Sequence, residues 1–175
     1  MSFRVADEIC VHIRWMVRRD MQEVMEIERE SFEFPWSEDD FVHILRRRNC
    51  IGMVAEYKGE VVGFIVYELG KNKIHLINIA VATRFRRLAV GTQLMAKLIG
   101  KLNYQHRNRI TFEIRETNLR AQLFFKSIGF QVTQILHDYY EEMNEDAYLM
   151  QYRYIAEDYD RVMNSLSRRM TWQAG

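Results

Sequence analysis

Residues 74–92, IHLINIAVATRFRRLAVGT, form the stretch of sequence that decides the fold. An apolar run of strand-forming residues leads into a loop that carries arginines, and a helix then opens near Gly91. The N-terminus of a helix leaves backbone N–H groups unpaired and carries about half a positive charge, so it binds phosphate oxygens. Glycine at such a position lets the backbone approach a ligand closely. The stretch therefore predicts a site for a cofactor that bears phosphate groups.

The glycine spacing differs from two well-known phosphate-binding motifs. Lys and Ser or Thr do not follow Gly91 as in a Walker loop, and the three-glycine pattern of a dinucleotide fingerprint is missing. Arg84, Arg86 and Arg87 add positive charge that could meet further phosphates. Three arginines in one turn are also typical of an ordinary solvated surface, and both interpretations stay open.

Apolar periodicity predicts seven strands and five helices. The strands are expected at residues 11–17, 51–57, 61–69, 74–81, 109–115, 130–136 and 147–154. The helices are expected at residues 19–32, 38–47, 91–101, 118–128 and 155–170. Ser37 with Asp40 is an N-cap signature for the second helix, and Gly129 takes the C-cap position of the fourth. The segment DYYEEMNED is expected to form the hairpin between the last two strands.

The order of these elements predicts one mixed α/β domain over residues 1–154, with residues 155–175 as a C-terminal helical extension. The apolar stripe of the extension packs either on its own domain or on a partner. The sequence leaves the oligomeric state open.

The bulk composition excludes several classes of protein. The 175 residues include 25 Lys and Arg against 24 Asp and Glu, so no global field marks a nucleic-acid binder, and any basic site must be local. Neither a nucleic acid nor a membrane is predicted as a partner. No apolar run approaches the roughly 18 residues that a membrane helix needs. Cys10 and Cys50 are expected to be reduced, semi-buried thiols, which indicates a cytoplasmic protein. The five histidines show no metal-ligand spacing, and no metal is predicted.

Residues 86–91, Arg86-Arg87-Leu88-Ala89-Val90-Gly91, resemble the signature of the GNAT acetyltransferase superfamily. That signature is Gln or Arg, two residues, Gly, one residue, and Gly or Ala. Ala89 stands where the family usually has glycine. A residue inside the first helical turn has a negative φ, so alanine is expected to be tolerated unless its methyl group crowds the pyrophosphate.

The resemblance covers roughly residues 11–153 and is closest to the N-terminal protein acetyltransferases, in particular the RimI-like ribosomal-protein-alanine acetyltransferases. Four segments carry it: FPWSEDDF (34–41), INIAV (77–81), FEIRETNLRAQLFFKSIGF (112–130) and YYEEMNEDAYLM (139–150). It implies a mostly antiparallel central sheet with splayed middle strands and flanking helices. It also implies acetyl transfer from acetyl-CoA to an α-amino group.

The resemblance implies a set of site residues. Glu113 matches the general base of the family, Asn118 touches the cofactor, and Phe125 stands where the family has the tyrosine that protonates the leaving thiolate. The remaining positions implied to hold acetyl-CoA are Ile79, Ala80, Val81, Arg86, Arg87, Leu88, Ala89, Val90, Gly91 and Thr92. Because Phe125 lacks a hydroxyl, our hypothesis is that Tyr139 or Tyr140 replaces the missing acid. From the residues alone, Glu113 could instead be a surface glutamate on an edge strand, paired with Arg115 or Arg109.

Two aromatic groups are expected to form the acceptor site. Tyr139 and Tyr140 on the last hairpin, opposite the rigid Phe34-Pro35-Trp36 loop, could wall a slot for an extended peptide N-terminus. The alternative is that both groups are rim packing, since tyrosine and tryptophan often lie half-buried.

These expectations describe a cytoplasmic, acetyl-CoA-dependent N-α-acetyltransferase, with a ribosomal protein that begins with alanine as the favoured substrate. One alternative keeps acetyl transfer but takes a small amine or a lysine side chain as the acceptor. Another, motivated by Phe125 and Ala89, is a non-catalytic sensor that binds acetyl-CoA.

Overall fold

The computed structural model describes residues 8–154 and residue 156, and this part of the chain folds into seven strands and four helices. The strands are β1 (His12–Trp15), β2 (Cys50–Tyr57), β3 (Glu60–Leu69), β4 (Ile74–Val81), β5 (Arg109–Arg115), β6 (Gln131–Tyr140) and β7 (Glu145–Arg153). The helices are α1 (Met21–Ser31), α2 (Glu38–Leu45), α3 (Val90–Ile99) and α4 (Leu119–Ser127). The predicted order of elements is confirmed. The helix predicted at residues 155–170 lies outside the described residues.

All seven strands form one mixed sheet in the order β1-β2-β3-β4-β5-β7-β6. Every neighbouring pair is antiparallel except β4 and β5, which run parallel. That parallel pair is joined only at Ile74 with Ile110 and at His75 with Thr111. Beyond His75 the two strands diverge, so the expected splay in the middle of the sheet is confirmed.

The sheet is covered by helices on both faces, which buries two apolar clusters. On one face, Leu94, Met95 and Leu98 of α3 pack with Phe112 of β5 and Phe125 of α4. On the other face, α1 and α2 contribute Val24, Ile27 and Phe41, which pack against Val54, Phe64 and Val66. The apolar residues of α1 recur every three or four positions, so they line the one face that meets the sheet.

Two predicted helix ends have the expected hydrogen bonds. The Ser37 hydroxyl accepts from the Asp40 N–H at 3.2 Å, and the Asp40 carboxylate accepts from the Ser37 N–H at 2.8 Å, which forms a capping box for α2. After α4, Gly129 has a φ of +100°, and the Phe130 N–H donates to the Phe125 carbonyl at 3.0 Å. Glycine closes this helix because its φ is positive there.

Strand β6 is longer than predicted and extends to Tyr140. The register with β7 shifts between Leu136 and Tyr140, and Asp138 within that shift has a φ of 51°. This irregularity lets the strand continue beyond Leu136, so Tyr139 and Tyr140 belong to the strand rather than to the turn.

The expected backbone conformation of Ala89 is wrong. Helix α3 begins at Val90, and Ala89 is its N-cap with φ 65° and ψ 10°, in the left-handed region. Arg87 also has a positive φ, of 64°. The chain turns sharply between the end of β4 and α3, and these two residues absorb the turn at positions that glycine would occupy without strain.

The two cysteines differ in their exposure to solvent. Both cysteines are free thiols, with Cys10 exposed and Cys50 buried, so neither is semi-buried as expected. No helix among the described residues is both long and apolar enough to span a bilayer.

Replacing Ala89 with glycine should stabilise the protein, because it removes the steric cost of a left-handed alanine. We expect A89G to raise the free energy of unfolding by about 1 kcal/mol and the melting temperature by about 2–4 °C. Thermal and denaturant unfolding measure this change. The matched control A96G lies inside α3, where glycine should cost about 1 kcal/mol instead. A loss of stability in both variants would contradict the assignment.

Candidate active site

A cavity of about 520 Å³ lies between the end of β4, the start of α3 and helix α4. Eleven residues expected to hold a cofactor line it: Ile79, Ala80, Val81, Arg86, Arg87, Ala89, Val90, Gly91, Thr92, Asn118 and Phe125. Leu88 does not line the cavity, and its carbonyl accepts from the N–H of Ile9 at 3.2 Å. Residues that the sequence analysis did not select also line the cavity, among them Ser31, Phe32, Arg120 and Phe124.

The start of α3 presents backbone donors to this cavity. The first hydrogen bond of α3 runs from the Gln93 N–H to the Ala89 carbonyl, at 3.0 Å. The N–H groups of Val90, Gly91 and Thr92 come before it and so have no carbonyl partner within the helix. A Cβ atom on Gly91 would lie 3.4 Å from the Phe124 ring and 3.7 Å from Val81, both of which line the cavity. The missing side chain therefore leaves cavity space in front of the donors, as a bound diphosphate requires.

The three arginines before α3 have different environments. The Arg86 guanidinium donates to the Val81 carbonyl and to the Ser31 hydroxyl, both at 2.9 Å, and so ties the loop to β4 and α1. Arg84 is mostly exposed and pairs with Glu60. For this arginine, the structure agrees with the alternative interpretation, an ordinary solvated surface. Arg87 lines the cavity, as does Arg120 of α4, and neither makes an ion pair with another described residue. Both side chains are therefore available to an anionic ligand.

The start and middle of α4 form the opposite wall of the cavity. The Asn118 side chain caps α4 by accepting from the Ala121 N–H at 3.2 Å. Phe125 is buried, and its ring centroid lies 4.1 Å from that of Phe112 and 5.4 Å from that of Phe130. Phe125 thus belongs to the apolar core and carries no group that could donate a proton.

Glu113 lies on the other face of β5, because Phe112 and Ile114 on either side of it point into the core. Its Oε2 lies 3.3 Å from Nε2 of His75, and the other ring nitrogen of His75 lies 3.4 Å from the Thr111 hydroxyl. The Glu113 side chain is 22% exposed. Because β5 lies between β4 and β7, the edge-strand alternative for Glu113 is wrong.

The sequence analysis did not select His75. The alternating pattern of β4 could have predicted that His75 lies on one face of the sheet. The contact between His75 and Glu113 depends on the parallel pairing of β4 with β5, which the pattern does not predict.

Tyr139 and Tyr140 lie in the electrostatic neighbourhood of Glu113. Their ring centroids are 5.1 Å apart in an edge-to-face arrangement. Burial raises the pKa of both phenols, and the negative charge of Glu113 raises them further. Tyrosine hydroxyls are protonated at neutral pH in any case, and a raised pKa makes each of these two a weaker proton donor.

Arg115 joins the two loops that surround the end of β5. Its guanidinium makes two hydrogen bonds of 2.7 Å to the Glu145 carboxylate at the start of β7, and one of 3.2 Å to Glu33 after α1. The Arg115 guanidinium also holds the pKa of Glu145 below its usual value. The loop after α1 and the β6–β7 hairpin therefore meet at Arg115, and this residue is not the partner of Glu113.

A buried carboxylate positions the Phe34-Pro35-Trp36 loop. Glu28 of α1 is 1% exposed, and its two oxygens accept from the Trp36 N–H at 2.9 Å and from the Asn78 amide of β4 at 3.0 Å. Burial raises the pKa of Glu28. Phe34 remains 58% exposed and Tyr139 49% exposed, so each presents apolar surface that a ligand could cover.

No group of three or more His, Cys, Asp or Glu side chains among the described residues is arranged to hold a metal ion.

Comparison with known proteins places this geometry in a family. The model of the acetyltransferase (GNAT) family matches residues 21–130. An uncharacterized N-acetyltransferase of Methanocaldococcus jannaschii is 35% identical over 140 residues, which are 79% of this chain and 88% of the relative. The N-alpha-acetyltransferase of Sulfurisphaera tokodaii is 31% identical over 144 residues, which are 75% of this chain and 86% of the relative.

A solved structure has the same fold. The crystal structure of the ribosomal-protein-S18-alanine N-acetyltransferase from Escherichia coli superposes with a TM-score of 0.74 at 25% identity. The superposition covers 84% of this chain and 96% of that structure. The resemblance to the GNAT acetyltransferases is thereby confirmed, and this chain is an N-acetyltransferase that belongs to the GNAT family.

Proposed function

We propose that the protein transfers the acetyl group of acetyl-CoA to the N-terminal α-amino group of a protein. The observation that supports this most strongly is the position of Glu113, which lies beside His75 next to the gap between β4 and β5. The cavity at the start of α3 is lined by residues 79–81, further along β4 beside the same gap. A carboxylate and a helix N-terminus that can bind a diphosphate both lie at this gap. Such an arrangement suits a reaction in which an amine attacks a thioester.

The cofactor site uses two kinds of contact. The N–H groups at the start of α3, together with Arg87 and Arg120, bind the pyrophosphate of acetyl-CoA. The pantetheine arm lies along residues 79–81, where β5 has diverged and the backbone of β4 has lost its neighbour on that side. The arm carries the acetyl group into the gap towards Glu113.

Glu113 acts as the general base. The attacking amine must be neutral, and Glu113 takes its proton directly or through one water as the C–N bond forms. An α-amino group has a pKa of about 7.7–8.0 and lysine one of about 10.4, so deprotonation at neutral pH is easier by about 3.5 kcal/mol for an N-terminus. A single carboxylate, oriented by His75, is therefore sufficient for an N-terminal acceptor.

The acceptor peptide lies between the Phe34-Pro35-Trp36 loop and the tyrosines of β6. Glu28 holds the first of these walls against β4, and Arg115 joins the two walls by binding Glu33 and Glu145. The S. tokodaii and E. coli relatives support an N-terminal substrate, and the E. coli protein supports a ribosomal protein that begins with alanine. The two free cysteines suit a reducing compartment such as the cytoplasm.

The acceptor class can be tested with a panel of amines. We expect CoA release with peptides that begin with a free alanine, and little with polyamines or with N-terminally blocked peptides that contain lysine. The E113Q variant should lower kcat by about 10²–10⁴-fold, whereas the matched control E116Q, an exposed residue just after β5, should not. Thiol release and mass spectrometry of the peptides measure both effects.

Two results would contradict this proposal. Acetylation confined to polyamines or lysines would favour the other acceptor class. Tight binding of acetyl-CoA without thiol release on any acceptor, unchanged by E113Q, would favour the sensor.

Adding one methyl group at Gly91 should weaken acetyl-CoA binding without harming the fold. The new Cβ makes only ordinary contacts with Phe124 and Val81, yet it occupies the space before the α3 donors. We expect G91A to raise the KM for acetyl-CoA about tenfold and the stability by up to about 1 kcal/mol. The control G100A, at the other end of α3, should leave KM unchanged. An unchanged KM in G91A would place the diphosphate elsewhere.

The tyrosine hypothesis predicts that removal of a hydroxyl slows release of the thiolate. We expect Y139F or Y140F to lower kcat about 10²-fold while leaving both KM values within a factor of about two, because the rings remain. The control Y104F removes the hydroxyl of an exposed tyrosine on a different loop. If Y139F and Y140F both turn over like the unaltered protein, another group or solvent supplies the proton.

A further inference from the structure

The end of the sheet remote from the gap carries a concentration of positive charge. We use the name basic end for Lys71, Lys73, Arg107, Arg109 and Arg153, which lie at the β3–β4 turn, at the start of β5 and at the end of β7. Lys71, Lys73 and Arg153 are exposed, whereas Arg107 and Arg109 are half-buried. The whole protein has a net charge of only +1, so this excess is local.

Backbone contacts bring these residues together. The Arg107 guanidinium donates to the Gly70 carbonyl at 2.7 Å, which places it against the β3–β4 turn. The pairing of Ile74 with Ile110 sets Lys73 beside Arg109. In the antiparallel register of β5 and β7, Arg109 lies directly opposite Arg153.

A second group of cations extends the basic end along the sheet. Residues 46–48, three consecutive arginines, follow α2, and the Leu69 N–H donates to the Asn49 carbonyl at 2.8 Å. Arg47 pairs with Glu68 at 2.8 Å. Arg46 and Arg48 are exposed and make no ion pair with another described residue.

The charges of the basic end are not neutralised by the described part of the chain. None of its five residues makes an ion pair there, and the one contact of Arg107 is with a carbonyl. Like charges directly opposite each other on neighbouring strands destabilise a sheet, as Arg109 and Arg153 do here. A bound anion would relieve this repulsion.

An exposed aromatic ring lies in the loop that leads to Arg107. Tyr104 is 78% exposed in the connection between α3 and β5. The Asn103 N–H donates to the Arg107 carbonyl at 2.7 Å, which closes a turn that carries Tyr104 three residues before Arg107 of the basic end. Arginines that grip phosphates and an aromatic ring on which a base can stack are the two components of single-stranded nucleic-acid sites.

From this arrangement we infer that the basic end binds single-stranded nucleic acid, with the arginines on phosphates and Tyr104 stacked on a base. The composition excluded a global basic field but allowed a local site of this kind. A membrane surface fits less well, because peripheral membrane binding uses an apolar helix face, and these cations lie on strand ends and turns. Strand β4 is about 26 Å long, and the basic end lies at its start while the cavity is lined by residues 79–81 at its end, so both can be occupied at once.

The test is fluorescence anisotropy of the full chain with labelled single-stranded RNA and DNA of about 15 nucleotides. Binding should weaken about 100-fold between about 50 mM and about 200 mM salt, as expected for about five phosphate contacts. The pair K71E/K73E should lower affinity at least about tenfold and flatten the salt dependence. Y104A should lower affinity about tenfold with an unchanged salt dependence, because it removes stacking rather than charge.

The matched control pair K58E/K126E changes two exposed lysines elsewhere and should bind like the unaltered protein. Acetylation of the peptide panel by K71E/K73E should be unchanged, which shows that this variant is folded and separates the basic end from the proposed active site. Comparison of the RNA with the DNA oligonucleotide identifies which type of nucleic acid is preferred. The inference is overturned if neither oligonucleotide binds at about 50 mM salt, or if K58E/K126E loses as much affinity as K71E/K73E. It is also overturned if vesicles containing phosphatidylserine bind while both oligonucleotides do not.

Discussion

The parallel pairing of β4 with β5 governs this molecule, because only two residue pairs join the strands before they diverge. Parallel strands point the same way, so the gap opens at their carboxyl ends, with α3 and α4 on one face of the sheet and α1 and α2 on the other. At the start of α3, residues 79–81 of β4 line the cavity. On the face of β5 opposite Phe112 and Ile114, the same geometry brings His75 of β4 to Glu113 of β5. Unpaired backbone in a sheet costs free energy, and an extended ligand along β4 would offset that cost.

The turn from β4 into α3 concentrates conformational strain at the cavity where we propose that acetyl-CoA binds. Arg87 and Ala89 both have positive φ, and the Arg86 guanidinium fixes the loop by donating to the Val81 carbonyl. Residues in such conformations persist only where the surrounding structure holds them. Arg87, Ala89 and the start of α3 line the same cavity. The turn into α3 and the proposed cofactor site therefore depend on the same few residues.

Two carboxylate networks hold the elements that flank the proposed acceptor site. Glu28 is buried, and each of its oxygens accepts from a different element, one from Trp36 and one from Asn78 of β4. Loss of Glu28 would leave two donors unpaired, which is costly in a buried position. Arg115 joins this wall to the other one by binding Glu33 and Glu145 together. Neither Glu28 nor Arg115 is proposed to touch a reacting atom, yet both hold the elements between which we propose that the peptide lies.

The sequence by itself determined the features that depend on neighbours along the chain. Periodicity placed the strands and helices, the Ser37–Asp40 pair predicted the start of α2, and the stretch at residues 74–92 predicted a phosphate site. The resemblance to the GNAT family supplied two further expectations, the divergence of the middle strands and the role proposed for Glu113. Only the tertiary structure decided the left-handed backbone of Ala89, the extension of β6 to Tyr140, and the partners of Glu113 and Arg115. These features arise from strand register and from contacts between residues far apart in the chain, and local propensities carry no information about such pairings.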